Sequence, residues 1–194
     1  MSIRSVCVFC GSRVGRDPKY RATARTLGHL LAKNGLRLVY GGGSIGLMTV
    51  VADAVLAEGG EVLGVIPDFL DRIEVGHRSL TDLKVVGSMH ERKAAMFEQS
   101  DAFVVLPGGL GTLDETLEII TWRQLGLHDK PILLVNQDGY WDPLLALLDH
   151  TVTEGFASES TRRLFSVVDD VGDVLPALAA EGKATAAAAP ATVL

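Results

Sequence analysis

The sequence is poor in most of what would mark a secreted, membrane-bound or nucleic-acid-coating protein. It has only two cysteines, so no disulfide framework holds it together, and aromatic residues make up just 6%. Basic residues are the scarcer charge, 18 Lys and Arg against 24 Asp and Glu, for a formal net charge of −6. A surface short of clustered Lys and Arg has little to attract nucleic acid or an anionic membrane, so neither is an expected partner. Any phosphate bound here is expected to be small and held locally. Long apolar runs are missing too: the opening MSIRSVCVFCGS reaches a glycine after one short apolar stretch, too short for a signal-peptide core or a membrane span. The cytoplasm is the expected compartment.

What is present is the balance of an ordinary globular domain, 47% hydrophobic and 22% charged over 194 residues. One domain is expected over residues 1–180. Beyond about Glu181 the Ala-rich GKATAAAAPATVL has little to pack, and 181–194 is expected to be a disordered tail. The two cysteines, Cys7 and Cys10, spell CxxC, but they lie in or beside the alternating run Val6 to Phe9, which reads as a strand. Residues three apart on a strand face opposite ways, and no second ligand pair completes a zinc site. Two buried or half-buried thiols are expected, and no metal.

Short β-branched runs alternate with amphipathic stretches along the chain. The expected strands are Val6 to Phe9, Arg37 to Tyr40, Val62 to Ile66, Leu83 to Val86, Ala102 to Leu106, Ile132 to Val135 and Ser166 to Val168. Helical patterns lie between them: Pro18 to Asn34, Leu47 to Glu58, Met89 to Ser100, Leu113 to Leu125 and Tyr140 to Thr153. Strand–helix alternation favours parallel strands joined by right-handed helical crossovers. The fold class is therefore α/β, a Rossmann-like doubly wound sheet with helices on both faces. Pro67 to Thr81 breaks this rhythm with Asp71, Arg72, Glu74, His77 and Arg78, and is expected to form a pocket wall or lid.

Ligands of such sheets bind past the carboxyl ends of the strands, where glycine-bearing turns expose backbone N–H groups at helix N-termini. Three such turns follow expected strands: Gly11 and Ser12; Gly41, Gly42, Gly43 and Gly46; and Gly108, Gly109, Leu110, Gly111 and Thr112. Their convergence predicts a nucleotide or other phosphorylated ligand. Gly41-x-Gly43-x-x-Gly46 also fits a dinucleotide fingerprint, with Asp68 roughly twenty residues on. That motif follows the second strand and not the first, however, and a Tyr-xxx-Lys pair is missing. No P-loop spelling occurs either.

Thr112 and Glu115 have capping-box spacing, the plain structural explanation for this glutamate. Yet a carboxylate within a turn of an anion-binding loop repels a phosphate, which points to work on the sugar beside it. There it would stabilise an oxocarbenium-like transition state or activate water. Met89-His90-Glu91-Arg92-Lys93 opens another helix, where cations oppose the helix dipole. Placement against local preference often marks function. Arg92 is suited to a ribose hydroxyl, a phosphate or Glu115 itself, and Lys93 to supplying a point charge.

MHERKAAM at Met89 to Met96, followed by LPGGLGTLDE at Leu106 to Glu115, resembles the paired signature of the LONELY GUY (LOG) family of cytokinin riboside 5′-monophosphate phosphoribohydrolases. FCGS, GGGSIGLM at Gly41 to Met48 and TWRQLGLHDKPI at Thr121 to Ile132 extend the likeness over nearly the whole chain. The resemblance implies a Rossmann-like homodimer. It would cleave the N-glycosidic bond of adenosine monophosphate or an N6-substituted relative, with water as acceptor and without cofactor or metal. It makes Arg92 and Glu115 the catalytic pair. It lines the substrate site with Glu74, Lys93, Gly108, Gly109, Leu110, Gly111, Thr112, Leu113, Asp114 and Thr121, with Gly11, Ser12, Gly42, Gly43 and Met89 as further candidates for a nucleotide loop. Asp114 stands where the family commonly has a second Glu, and Thr49 where it has Gly. The label lysine decarboxylase, carried by many such proteins, finds no supporting pyridoxal phosphate site among these residues. The competing functional class is a non-catalytic nucleotide or cofactor carrier on the same loops, and a weaker one is an NAD-dependent oxidoreductase.

Overall fold

The computed structural model describes residues 3–72, 77 and 79–188. Seven parallel strands form one sheet: β1 (Ser5–Phe9), β2 (Arg37–Tyr40), β3 (Val62–Pro67), β4 (Asp82–Val86), β5 (Ala102–Val105), β6 (Ile132–Val135) and β7 (Ser166–Val168). Their spatial order is β4-β3-β2-β1-β5-β6-β7. The chain winds outward in one direction from β1 and then, through β5, in the other, which is the doubly wound arrangement expected. β1 lies between β2 and β5, in the registers Val6↔Leu38 and Val6↔Ala102.

The helices are α1 (Pro18–Lys33), α2 (Gly46–Ala57), the single turn α3 (Asp68–Leu70), α4 (Met89–Glu98), α5 (Leu110–Gln124), α6 (Asp142–Thr153) and α7 (Val174–Ala188). Strand periodicity of two divides β1 between two cores. Val6, Val8 and Cys10 join Leu27 of α1, Val51 of α2 and Leu178 of α7, while Cys7 and Phe9 join Met96 of α4, Ile119 of α5 and Leu144 of α6. Central strands buried on both faces read as continuous apolar runs, which is why β5 is spelled AFVV and β6 ILLV. Both thiols are free and buried, and burial pushes them well above their usual range. No helix among the described residues is long and apolar enough to cross a membrane.

Most boundaries fall within two residues of the sequence reading, and two differ by more. Helix α5 begins at Leu110 with Gly109 as its N-cap, three residues before the expected start at Leu113, because the glycine loop turns directly into the helix. Helix α7 runs to Ala188, past the expected boundary at Glu181. Alanine is the strongest helix former, and this stretch continues a helix already anchored by buried Val174 and Leu178. Glu181 itself accepts a hydrogen bond from Ser166 and lies 3.6 Å from Arg123 Nη1. Residues 189–194 of the expected tail lie outside the described residues.

Candidate active site

The sheet changes winding direction between β1 and β5, and the turns after those strands are tied to each other. Gly11 N donates to Pro107 O at 3.1 Å, and Leu47 N, opening α2, donates to Gly11 O at 2.9 Å. The three glycine turns thus meet at one edge. A Cβ at Gly108 would lie 2.1 Å from Thr112 Oγ1 and 2.9 Å from Gly11 N, so glycine is what lets the first and third turns touch.

Arg92 reaches this edge from the first turn of α4. Ser88 caps that helix by accepting from Glu91 N at 3.2 Å, and Glu91 Oε2 accepts from Gly87 N at 2.9 Å. This reciprocal arrangement resembles a capping box, and Glu91 answers the dipole that Arg92 opposes. The Arg92 guanidinium donates to Val65 O at 3.2 Å and Gly41 O at 3.4 Å, and its Nη1 lies 3.0 Å from Glu115 Oε1. Both side chains of the pair are buried, 9% and 8% exposed. A Cβ at Gly41 would stand 1.9 Å from Arg92 Nη2, so glycine there makes room for the guanidinium.

Glu115 is not the helix cap that its spacing with Thr112 suggested. Thr112 falls inside α5, whose N-cap Gly109 has no side chain to offer, and the carboxylate is turned to Arg92. Burial pushes the Glu115 carboxyl above its ordinary value; Arg92 and Lys93 pull it down, while Asp114 and Glu118 reinforce the rise. The net result is a carboxylate more basic than a solvated one. Leaving a charge in so dry a place is costly unless it is paired, and Arg92 supplies that pairing.

The pair opens onto a cavity of about 240 Å³ walled by Ser12, Met48, Leu70, Met89, Gly111 and Thr112 among others. A larger cavity of about 570 Å³ lies beside it, bounded by Gly11, Arg13, Tyr20, Leu47, Gly108 and Tyr140 among others, and Ser12, Gly109 and Leu110 border both. Size alone would favour the larger one, but the chemistry sits in the smaller. Cβ atoms at Gly109 and Gly111 would have no protein atom within 4 Å, and neither residue has positive φ. Their glycine character answers to nothing inside the protein, which leaves open ground over the N-terminus of α5.

Not every residue expected at the site faces it. Lys93 Nζ is held between Asp114 Oδ2 at 3.2 Å and Glu118 Oε1 at 3.0 Å. Burial works against its charge, but those two carboxylates outweigh it and keep the ammonium above its usual range. Gly42 and Gly43 are buried and border neither cavity, so the dinucleotide fingerprint exposes no middle glycine to a pyrophosphate. Asp68, its expected ribose contact, is bound by Arg72. Leu113 packs into the core beneath α4 to α6. Thr121 is exposed further down α5 and donates to Leu117 O at 2.7 Å. Glu74 lies outside the described residues. From the expected pocket wall, Leu70 borders the smaller cavity, and His77 is tied to Gly42 O through its amide at 3.1 Å and to Asp53 Oδ1 through its ring at 2.8 Å. Met48, Tyr20, Tyr140 and Arg13 border these cavities without having been expected there; Arg13 directly follows the Gly11–Ser12 turn, which was its signal.

Known proteins resemble this chain along most of its length. A family model described as "Possible lysine decarboxylase" matches residues 48–178. The cytokinin riboside 5′-monophosphate phosphoribohydrolase of Rhodococcoides fascians is 47% identical over 176 residues, 90% of this chain and 89% of that protein. An Arabidopsis thaliana protein of the same name is 50% identical over 161 residues, 83% of this chain and 74% of its own. Among solved structures, the molybdenum cofactor binding protein of Rippkaea orientalis superposes with a TM-score of 0.70 over 93% of this chain and 98% of its own, at 20% identity. That likeness speaks for the fold alone.

Proposed function

Since the chain belongs to the LONELY GUY family of cytokinin riboside 5′-monophosphate phosphoribohydrolases, we propose that it hydrolyses the N-glycosidic bond of adenosine 5′-monophosphate or an N6-substituted relative, releasing the base and ribose 5-phosphate. The observation that carries this reading is the buried Arg92–Glu115 pair beside a helix N-terminus whose glycines stand open. Backbone N–H groups at the start of α5 receive the 5′-phosphate, since a helix N-terminus is a ready anion site. The ribose then lies in the smaller cavity, against Glu115.

Glycosidic cleavage makes the anomeric carbon cationic as its bond to the base nitrogen stretches. The Glu115 carboxylate stabilises that charge and accepts a proton from the attacking water, a task suited by its raised basicity. The water oxygen bonds to the anomeric carbon, the bonding pair of the broken C–N bond leaves with the base, and the base takes a proton from solvent. Arg92 fixes the carboxylate and balances it when it is charged. Met48, Leu70 and Met89 give the same cavity an apolar side for the base.

The chain acts as a homodimer in this reading. Leu117 and Leu125, 39% and 67% exposed, and Leu127, 66% exposed, offer an apolar surface along and just past α5, next to exposed Thr121. Sedimentation at micromolar protein reads this directly. For the activity, the purified protein is incubated with AMP or its isopentenyl derivative and the free base is followed by chromatography. Base release that requires the 5′-phosphate supports the reading. Tight AMP binding with no base released turns it toward a carrier.

A further inference from the structure

Within this reading of the site as a 5′-monophosphate hydrolase, we infer that Arg13 is the residue that selects for the phosphate, and that the larger cavity is the phosphate compartment. A phosphate monoester carries between one and two negative charges at neutral pH and needs a cation beside its backbone donors. The two cations in the family signature are spent: Arg92 on Glu115, and Lys93 on both Asp114 and Glu118. Two cations against three carboxylates leave the catalytic cluster net negative, and it repels a phosphate.

The opposite holds across Gly109 and Leu110. Arg13 borders the larger cavity, is exposed, and has no ion pair or side-chain hydrogen bond among the described residues. No carboxylate lies among the residues that bound this cavity. Of the other cations on this segment, Arg16 does not border the cavity, and Lys19 does not border it either and is already engaged by Asp17 and Asp138. The compartment is also stiff: Tyr140 Oη donates to Gly108 O at 2.7 Å, and the Tyr20 ring meets the Tyr140 ring edge-on with centroids 5.5 Å apart. A phosphate over the first amides of α5 thus has Glu115 on the sugar side and Arg13 on the far side. The charges draw the nucleotide into one orientation, sugar toward the carboxylate.

The test compares wild type with Arg13→Ala and Arg13→Lys. With AMP, Arg13→Ala raises KM about tenfold or more while kcat changes little, and the inhibition constant of ribose 5-phosphate rises in parallel; Arg13→Lys recovers part of both. Melting temperature reports whether the fold is intact. Unchanged KM and unchanged ribose 5-phosphate inhibition in Arg13→Ala overturn the inference while leaving the hydrolase reading untouched. If wild type releases no base at all, the hydrolase reading fails on its own. Calorimetric titration with AMP still decides Arg13: weaker binding by the alanine variant upholds it, and equal binding overturns it.

Discussion

The second and third glycine turns look alike in sequence, GGGSIG and PGGLGT, yet they serve opposite purposes. In the second turn glycine yields space to the protein: Gly41 clears the way for the Arg92 guanidinium, and Gly42 and Gly43 are buried. In the third, Gly108 admits a neighbouring turn, but Gly109 and Gly111 adjoin nothing. Glycine spelling alone cannot separate room made for a side chain from room left for a ligand. A Cβ placed at each position can.

Substituting across the two turns should therefore break the site in different ways. Gly41→Ala is expected to have the largest effect. Only the far end of a side chain has to move, so the protein still folds, but the guanidinium is pushed off Glu115; kcat should fall by about a hundredfold or more, read by base release. Gly111→Ala should do the reverse. Its Cβ meets no protein atom and it replaces glycine in a helix, so the fold gains up to about 1 kcal/mol. Its methyl group projects into the smaller cavity, where the ribose is to lie, and KM for AMP should rise about tenfold. A melt and a Michaelis curve on the two variants test the contrast, and equal KM values would abolish it.

A smaller effect is expected from pH. Glu115 works as the anion and its carboxyl is raised by burial, so activity is complete above that raised value and lost as pH falls through it, at a pH above the ordinary glutamate range near ~4.3. The sign for stability is opposite. A raised folded-state value means the native protein holds this proton more tightly than the unfolded chain. That contribution is present below the ordinary glutamate value and is lost as pH rises through the raised one. Acid should thus inactivate the enzyme reversibly, with near-ultraviolet circular dichroism still native at the midpoint of the rate loss. The smallest expected effect is none: prolonged chelation should leave the rate unchanged, because the proposed chemistry runs on Arg92, Glu115 and water. Loss of activity restored by a divalent ion would contradict that.

Much of this was legible before any coordinates. The alternation of short β-branched runs with amphipathic helices marks a parallel, doubly wound sheet, because strands buried on both faces must be apolar throughout. Arg92 stood out by opposing its helix dipole, and Glu115 by sitting near an anion loop. The role of Thr112 was not legible, since a helix start shifts with one glycine and TxxE spacing is the same inside a helix as at its cap. Nor was the engagement of Lys93. Its partners Asp114 and Glu118 are on another helix, and only packing brings α4 against α5. The helix over residues 181–188 was not legible for a related reason, because a composition with nothing to pack can still extend a helix anchored upstream.

The central claim is that Glu115 serves chemistry and not the fold, and Glu115→Gln tests it most directly. The change is nearly isosteric and keeps a carbonyl for Arg92, but it removes the charge. Breaking a buried pair costs about 3–5 kcal/mol, so the variant is measured below its own melting temperature. AMP is titrated calorimetrically and free adenine is counted on the same preparation. The prediction is binding close to wild type, with adenine release slowed about a hundredfold or more in kcat and kcat/KM together. A variant that folds, binds AMP and releases adenine at the wild-type rate would remove Glu115 from the reaction.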